Sequence, residues 1–164
     1  MEDPKLEPGH EIVFTISDYY DGPIKGIANY QGKPHFYECI FDESAGYFSE
    51  SFLLTPLNSE TFLLAMEDWE IWRRWEVAFH SGKANLNTHP ALPPDANRHA
   101  ELKRVLEKSL VSDPLKAITR IGQFRGLGES NLRPGVLRPL QVKWSNPTLL
   151  PDNYEMHPDL SDNH

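Results

Sequence analysis

Short apolar stretches divided by turn residues occupy the first third of the chain. Residues 12–16 alternate cleanly, with Phe14 at the centre of the apolar face, which is typical of a strand that buries one side. Three further stretches have strand-forming composition and are divided by turn-forming Gly, Asp and Pro: residues 24–30, 35–41 and 47–54. The pattern predicts a four-stranded antiparallel meander.

A longer pattern with helical spacing follows the predicted meander. It contains three of the four tryptophans of the chain, Trp69, Trp72 and Trp75. Asn58 or Ser59 is suited to cap the start of this helix, and Gly82 is suited to end it. Its apolar positions cover more than half of the helical circumference, which predicts packing on two sides. We therefore place it between the sheet and a second amphipathic helix over residues 94–110.

Residues 116–125 and 137–145 have the composition of two further strands. The predicted fold class is therefore α+β: an antiparallel β-meander, able to curl toward a small barrel, with two covering helices and two C-terminal strands. These elements form a single domain over residues 1–145, in which residues 1–9 are a loose N-terminal arm. Residues 146–164 are rich in acid and proline and poor in apolar residues, which predicts a disordered acidic tail.

The composition is that of a soluble protein with a mean hydropathy of -0.53. No apolar run approaches the roughly 20 residues that a membrane-spanning helix needs, so we expect no membrane partner. The single cysteine, Cys39, excludes an internal disulfide and a cysteine-rich zinc site, which favours a reducing cytoplasm. Its position in the middle of a predicted strand favours a small buried side chain over a nucleophile.

The net charge of -8 is unevenly distributed. Residues 1–57 carry ten acidic and three basic side chains, whereas residues 98–145 carry four acidic and ten basic ones. The favoured interpretation is that the basic segment packs beside the acidic one, which would place Arg120 or Arg125 near an N-terminal carboxylate. The alternative is a basic face for a phosphate group or nucleic acid. The overall acidity and the lack of a nucleic-acid motif argue against nucleic acid as a partner.

Two carboxylates in the third and fourth predicted strands form the most specific candidate site. If the turn over residues 42–46 is symmetric, Glu38 lies opposite Glu50 between apolar pairs. Like charges in this position are destabilising and, if buried, would raise the pKa of at least one carboxyl. Either the face is solvated, or a cation such as Arg120 or Arg125 bridges the pair, or the carboxylates form an acid/base site.

Two other groups of residues can carry chemistry. Glu76 and His80 lie four residues apart on one helix face, a spacing that can hold a metal, although structural pairing is the favoured interpretation and we expect no metal or cofactor. The aromatic wall beside them can bind an organic cation through its ring faces, although tryptophans at helical spacing are usually core residues. Tyr19, Tyr20 and Asp21 place two aromatic rings near an acidic turn, a composition favoured in recognition surfaces.

No nucleophile elbow, phosphate-binding P-loop or dinucleotide-binding glycine motif occurs in the chain. Residues 19–23, residues 32–38 and the tryptophan-rich residues 68–80 resemble small bacterial proteins of unknown function, over about the first half of the chain. The resemblance implies a bacterial cytosolic setting and assigns no catalytic residue.

These features predict a non-enzymatic binding protein for a protein or small-molecule partner. One specific form is an immunity-type protein whose acidity neutralises a basic toxin. The alternative is an acid/base enzyme that uses Glu38 and Glu50 beside an aromatic-lined cleft. The predicted binding residues are Tyr19, Tyr20, Asp21, Arg120 and Arg125.

Overall fold

The computed structural model describes residues 5–128 and 137–147 of the chain. Within these ranges the elements are β1 (Glu11–Tyr19), β2 (Pro23–Tyr30), β3 (Lys33–Asp42), β4 (Tyr47–Pro56), α1 (Ser59–His80), α2 (Ala96–Ser109), β5 (Ile118–Gly126) and β6 (Leu140–Ser145). Two short 3-10 helices, Leu86–Thr88 and Pro93–Asp95, lie in the connection between α1 and α2. This order confirms the predicted meander, two helices and two C-terminal strands.

The six described strands close into an antiparallel barrel in the order of the sequence. Strand β6 completes the barrel because it pairs with β5 on one side and with β1 on the other, where Val142 lies opposite Glu11. Closure satisfies strand edges that an open sheet would leave exposed. The predicted α+β class and the barrel-like curl of the meander are thus confirmed.

Aromatic rings fill much of the barrel interior. The ring centroids of Tyr37, Phe52, Phe124 and Trp144 lie 5.3 to 6.3 Å apart. The hydroxyl of Tyr37 donates to the carbonyl of Thr15 at 3.0 Å, and burial raises the pKa of this phenol. Gly26 permits this approach, since a Cβ there would lie 2.5 Å from the Tyr37 hydroxyl. The interior is therefore packed around a fixed tyrosine.

The long helix α1 has the boundaries that its sequence predicts. The side chain of Asn58 accepts a hydrogen bond from the N–H of Thr61 at 2.8 Å and caps the N-terminus. Gly82 follows the C-cap with a φ of 78°, a conformation that glycine adopts without strain.

A second hydrophobic core lies outside the barrel, between its wall and the two helices. Ile27 of β2, Ile71 of α1, and Leu102 and Leu106 of α2 are buried in this cluster. Helix α1 therefore packs against the barrel wall on one side and against α2 on the other, as its wide apolar arc predicts. Among the three tryptophans of α1, Trp75 is buried at 5% exposure, whereas Trp69 and Trp72 are partly buried.

The predicted register between β3 and β4 is wrong. Glu38 lies opposite Leu53, and Glu50 falls in an irregular stretch between the Cys39–Phe52 and Phe41–Phe48 pairs. The predicted opposition of Glu38 and Glu50 is therefore absent.

Two local features cause the difference. The carboxylate of Asp42 accepts hydrogen bonds from Ser44 and Ala45, so Asp42 joins the ladder opposite Tyr47 and the turn is one residue shorter than predicted. Further along, the hydroxyl of Ser49 donates to the carbonyl of Ile40 at 2.7 Å inside the irregular stretch. Side-chain bonds to backbone groups thus displace regular strand pairing.

Charge complementarity between the two ends of the chain is confirmed at one residue. The guanidinium of Arg125 lies 2.9 Å from the carboxylate of Glu7, and the backbone N–H of Glu7 donates to the side chain of Gln141 at 2.9 Å. These contacts connect the predicted arm to the barrel wall. Most of the predicted tail, residues 148–164, lies outside the described residues.

Candidate ligand-binding cleft

A large concavity lies between β1, α1, α2 and the connection between the helices. Its volume is about 720 Å³, and we call it the tryptophan cleft. The aromatic side chains of α1 that line it are Trp69, Trp72, Trp75 and Phe79. The barrel supplies the opposite wall through β1, while Leu106 of α2 contributes to the floor.

The aromatic side chains of the cleft differ in how they are held. The ring of Trp75 stacks on Phe79 at 5.0 Å, and its indole N–H donates to the hydroxyl of Thr88 at 3.0 Å. Trp69 and Trp72 lie 5.1 Å apart and are only partly buried. Trp75 is therefore a fixed wall, whereas Trp69 and Trp72 present ring surface to the open space.

Two carboxylates of α1 also line the cleft. The carboxylate of Asp68 accepts a hydrogen bond from Nδ1 of His99 at 2.7 Å, which joins α1 to α2. The buried carboxylate of Glu76 lies 2.5 Å from the guanidinium of Arg73 and accepts a hydrogen bond from the N–H of Leu137 at 2.7 Å. Glu76 is thus engaged with structural partners, while the side chain of Asp68 keeps 26% of its surface exposed.

The predicted Glu76–His80 pair is placed in the same cleft, but its members have separate neighbours. His80 contacts the ring of Phe79, and Glu76 binds Arg73 and Leu137. Over residues 5–128 and 137–147, no group of three or more His, Cys, Asp or Glu side chains is arranged to hold a metal ion.

The end of the barrel forms a second concavity, of about 610 Å³, which we call the barrel mouth. It brings together the predicted binding residues Tyr19, Tyr20 and Asp21 with Glu50. Tyr19 and Tyr20 are 58% and 71% exposed, so their rings form an open rim. Glu50 therefore belongs to the predicted tyrosine site and not to a pair with Glu38.

The thiol of Cys39 lies at the base of the barrel mouth. It is 7% exposed and donates to the carbonyl of Ser49 at 3.0 Å. Burial raises the pKa of this thiol to about 11, which keeps it protonated and unreactive near neutral pH.

The remaining predicted residues lie elsewhere. Glu38 is on the outer face of β3, where it accepts a hydrogen bond from Ser112 at 2.6 Å and lies 3.7 Å from the ammonium of Lys25. Arg120 donates to the hydroxyl of Tyr30 at 3.2 Å, so neither Arg120 nor Arg125 bridges Glu38 to Glu50. Arg125 binds Glu7 and lines neither cavity.

The residues that distinguish the cleft were only partly recognisable in the sequence. Asp68 within an apolar helical arc was the available signal, because a carboxylate in such a position needs a partner. His99 supplies that partner from a helix 31 residues away, a distance that no local spacing rule covers.

Comparison with family models, curated proteins and solved structures finds no match to this chain. None of the described helices is both long enough and apolar enough to span a lipid bilayer.

Proposed function

We propose that this protein is a non-enzymatic binding protein, and that its ligand is a small organic molecule held in the tryptophan cleft. One observation carries the proposal: Trp69 and Trp72 remain partly exposed inside a concavity of about 720 Å³. Small-molecule sites typically occupy roughly 300–1,000 Å³ and have mainly apolar walls with a few polar groups. The cleft has this size and this composition.

The energetics of the exposed rings support the same proposal. An indole that covers part of its surface with a ligand gains about 25 cal/mol for each Å² of apolar area removed from water. Trp69 and Trp72 adjoin each other in one cleft, so a single ligand can cover both. Ligand binding accounts for two large apolar side chains that the fold itself leaves accessible.

The alternative acid/base enzyme loses the observation on which it depended. Glu38 and Glu50 are not opposed, and Glu38 has its own partners on the outer face of the barrel. The free thiol of Cys39 supports the proposed cytoplasmic location, because structural disulfides are rare in reducing compartments.

Two-dimensional NMR on the indole N–H signals of the four tryptophans tests the proposal. Neutral probes such as indole and cyclohexanol should shift the signals of Trp69 and Trp72 saturably. The signal of Trp144, whose N–H donates to the carbonyl of Asn29 inside the barrel, should remain in place. Trp72→Ala should weaken binding, whereas Phe41→Ala, which removes an exposed ring that is not part of the cleft lining, should not.

If no organic probe, neutral or charged, moves the Trp69 and Trp72 signals at millimolar concentration, the proposal is wrong. Equal weakening by Trp72→Ala and Phe41→Ala would show non-specific contact with aromatic surface.

The barrel mouth supports a second candidate function, the binding of a basic protein segment. Tyr19, Tyr20 and Tyr47 are 58%, 71% and 63% exposed around it, and Asp21 and Glu50 add negative charge. Tyrosine beside carboxylates suits lysine- and arginine-rich partners, which is the requirement of the immunity-type function. Salt-sensitive binding of an oligoarginine peptide that is lost in Tyr20→Ser would support this candidate, and binding unaffected by Tyr20→Ser would oppose it.

A further inference from the structure

The charges that line the tryptophan cleft are of one sign. Its ionisable lining residues within the described ranges are the acids Asp18, Asp68 and Glu76, three histidines and Tyr19, and lysine and arginine are absent from this lining. The guanidinium of Arg73 is held by Glu76 and by the carbonyl of Leu137 and does not line the cleft. The carboxylates of this lining therefore favour a cationic occupant over an anionic one.

The aromatic rings carry the same electrostatic preference. Each indole face has a negative electrostatic potential, and tryptophan is the side chain that binds cations most strongly through its ring. Trp69 and Trp72 lie side by side with an interplanar angle of 33°, and both line the tryptophan cleft. A cation in this volume meets two partly exposed indoles.

Asp68 is the better placed of the two α1 carboxylates to act on such an occupant. Glu76 is only 4% exposed, and its charge is compensated by the guanidinium of Arg73. Asp68 is adjacent in sequence to Trp69, and its hydrogen bond to His99 fixes its side chain at the edge of the cleft. Because His99 itself is only 20% exposed, this pair is restrained before any ligand arrives.

We infer that the ligand of the tryptophan cleft is a small organic cation, of the tertiary or quaternary amine class. This inference rests on the proposed function and adds the charge of the ligand to it. A neutral apolar ligand would use the indoles but gain nothing from Asp68, and an anion would be repelled by both. A quaternary ammonium group uses both, because its methyl groups pack on the rings while its charge faces the carboxylate.

A matched pair of probes tests the charge alone. Choline and 3,3-dimethylbutan-1-ol have nearly the same shape and differ by a nitrogen cation in place of a carbon. Followed by the indole N–H signals of Trp69 and Trp72, choline should bind at least about fivefold more tightly, the factor that corresponds to a cation–ring interaction of about 1 kcal/mol. The Trp144 signal again serves as the reference inside the barrel.

Two variants of the cleft and one control separate the contributions. Asp68→Asn should weaken choline binding at least about threefold and leave the neutral isostere unchanged. Trp72→Leu keeps apolar volume but removes a ring face, and should also weaken choline selectively. Glu60→Gln makes the same carboxylate-to-amide change at an exposed residue of α1 that lines neither cavity, and should alter neither affinity. If Asp68→Asn unfolds the protein, Trp72→Leu alone decides the question.

The outcomes separate the inference from the proposed function. Equal affinity for choline and its isostere at Trp69 and Trp72 would overturn the cation and leave a binding cleft for neutral ligands. Absence of any shift with these probes and with the neutral probes would overturn both. If choline shifts only the backbone amide signals of residues that line the barrel mouth, the assignment of the cation to the cleft is overturned.

Discussion

Two tryptophans three positions apart on α1 should respond very differently to replacement by alanine. Trp75 is 5% exposed, stacks on Phe79 at 5.0 Å and donates its indole N–H to Thr88 at 3.0 Å. Trp72 is only partly buried and borders the open cleft. Their sequence positions are almost equivalent, so any difference in stability must come from tertiary packing.

The expected magnitudes follow from these contacts. Trp75→Ala removes a buried ring and leaves a cavity, which costs about 3–5 kcal/mol in the free energy of unfolding. Trp72→Ala removes a ring that is partly covered and enlarges a space already open to solvent, so about 1–2 kcal/mol is expected. Domains of this kind have a total stability of about 5–15 kcal/mol, which makes the Trp75 change severe and the Trp72 change tolerable.

Urea unfolding followed by far-ultraviolet circular dichroism measures both changes without relying on tryptophan fluorescence. With a slope near 2 kcal/mol/M, the midpoint should fall by about 1.5–2.5 M for Trp75→Ala and by about 0.5–1 M for Trp72→Ala. Thr88→Val is a control that removes only the indole hydrogen bond, for which about 0.5–1.5 kcal/mol is expected. Equal losses for the two tryptophans would refute the distinction between a fixed wall and an open face.

Three further predictions concern the rest of the fold. Cys39 should react slowly with iodoacetamide near pH 8 until urea unfolds the chain, and reaction of the folded protein at the rate of the unfolded chain would contradict this. The free energy of unfolding should fall as the pH rises from 9 toward about 11, because the thiol of the unfolded chain ionises first while the buried thiol keeps its proton. Asn58→Ala should lower the free energy of unfolding by about 1 kcal/mol through loss of the helix cap, whereas Asn58→Asp should retain the cap. Equal urea midpoints for wild type and Asn58→Ala would show that the cap is dispensable. In a double-mutant cycle followed by urea unfolding, the effects of Glu38→Gln and Glu50→Gln on the free energy of unfolding should add to within about 0.5 kcal/mol, because the two carboxylates are not opposed. A larger coupling energy would show that the two carboxylates interact directly.

The candidate site shows how far sequence reasoning extends. Tyr19, Tyr20 and Asp21 were recognisable because they lie in one turn, and they do share a concavity. Glu50 joins them only because the irregular stretch of β4 directs it into the barrel mouth. The contact of Asp68 with His99 depends on the packing of α1 against α2, which no spacing within either helix specifies.

The sequence by itself determined the elements of this protein. Alternation at residues 12–16, the turn residues between the first strands, the Asn58 cap and the glycine that follows α1 are local signals, and each acts over a few residues. The tertiary structure decided the register of β4, the closure of the barrel by β6 and the exposure of Trp72. Each of these depends on contacts between residues distant in sequence. The hydrogen bond from the hydroxyl of Ser49 to the carbonyl of Ile40 illustrates the physical reason. A carbonyl that accepts from a side chain in this way accompanies a shift in strand pairing, and that shift changes which side chains of β3 and β4 lie opposite each other.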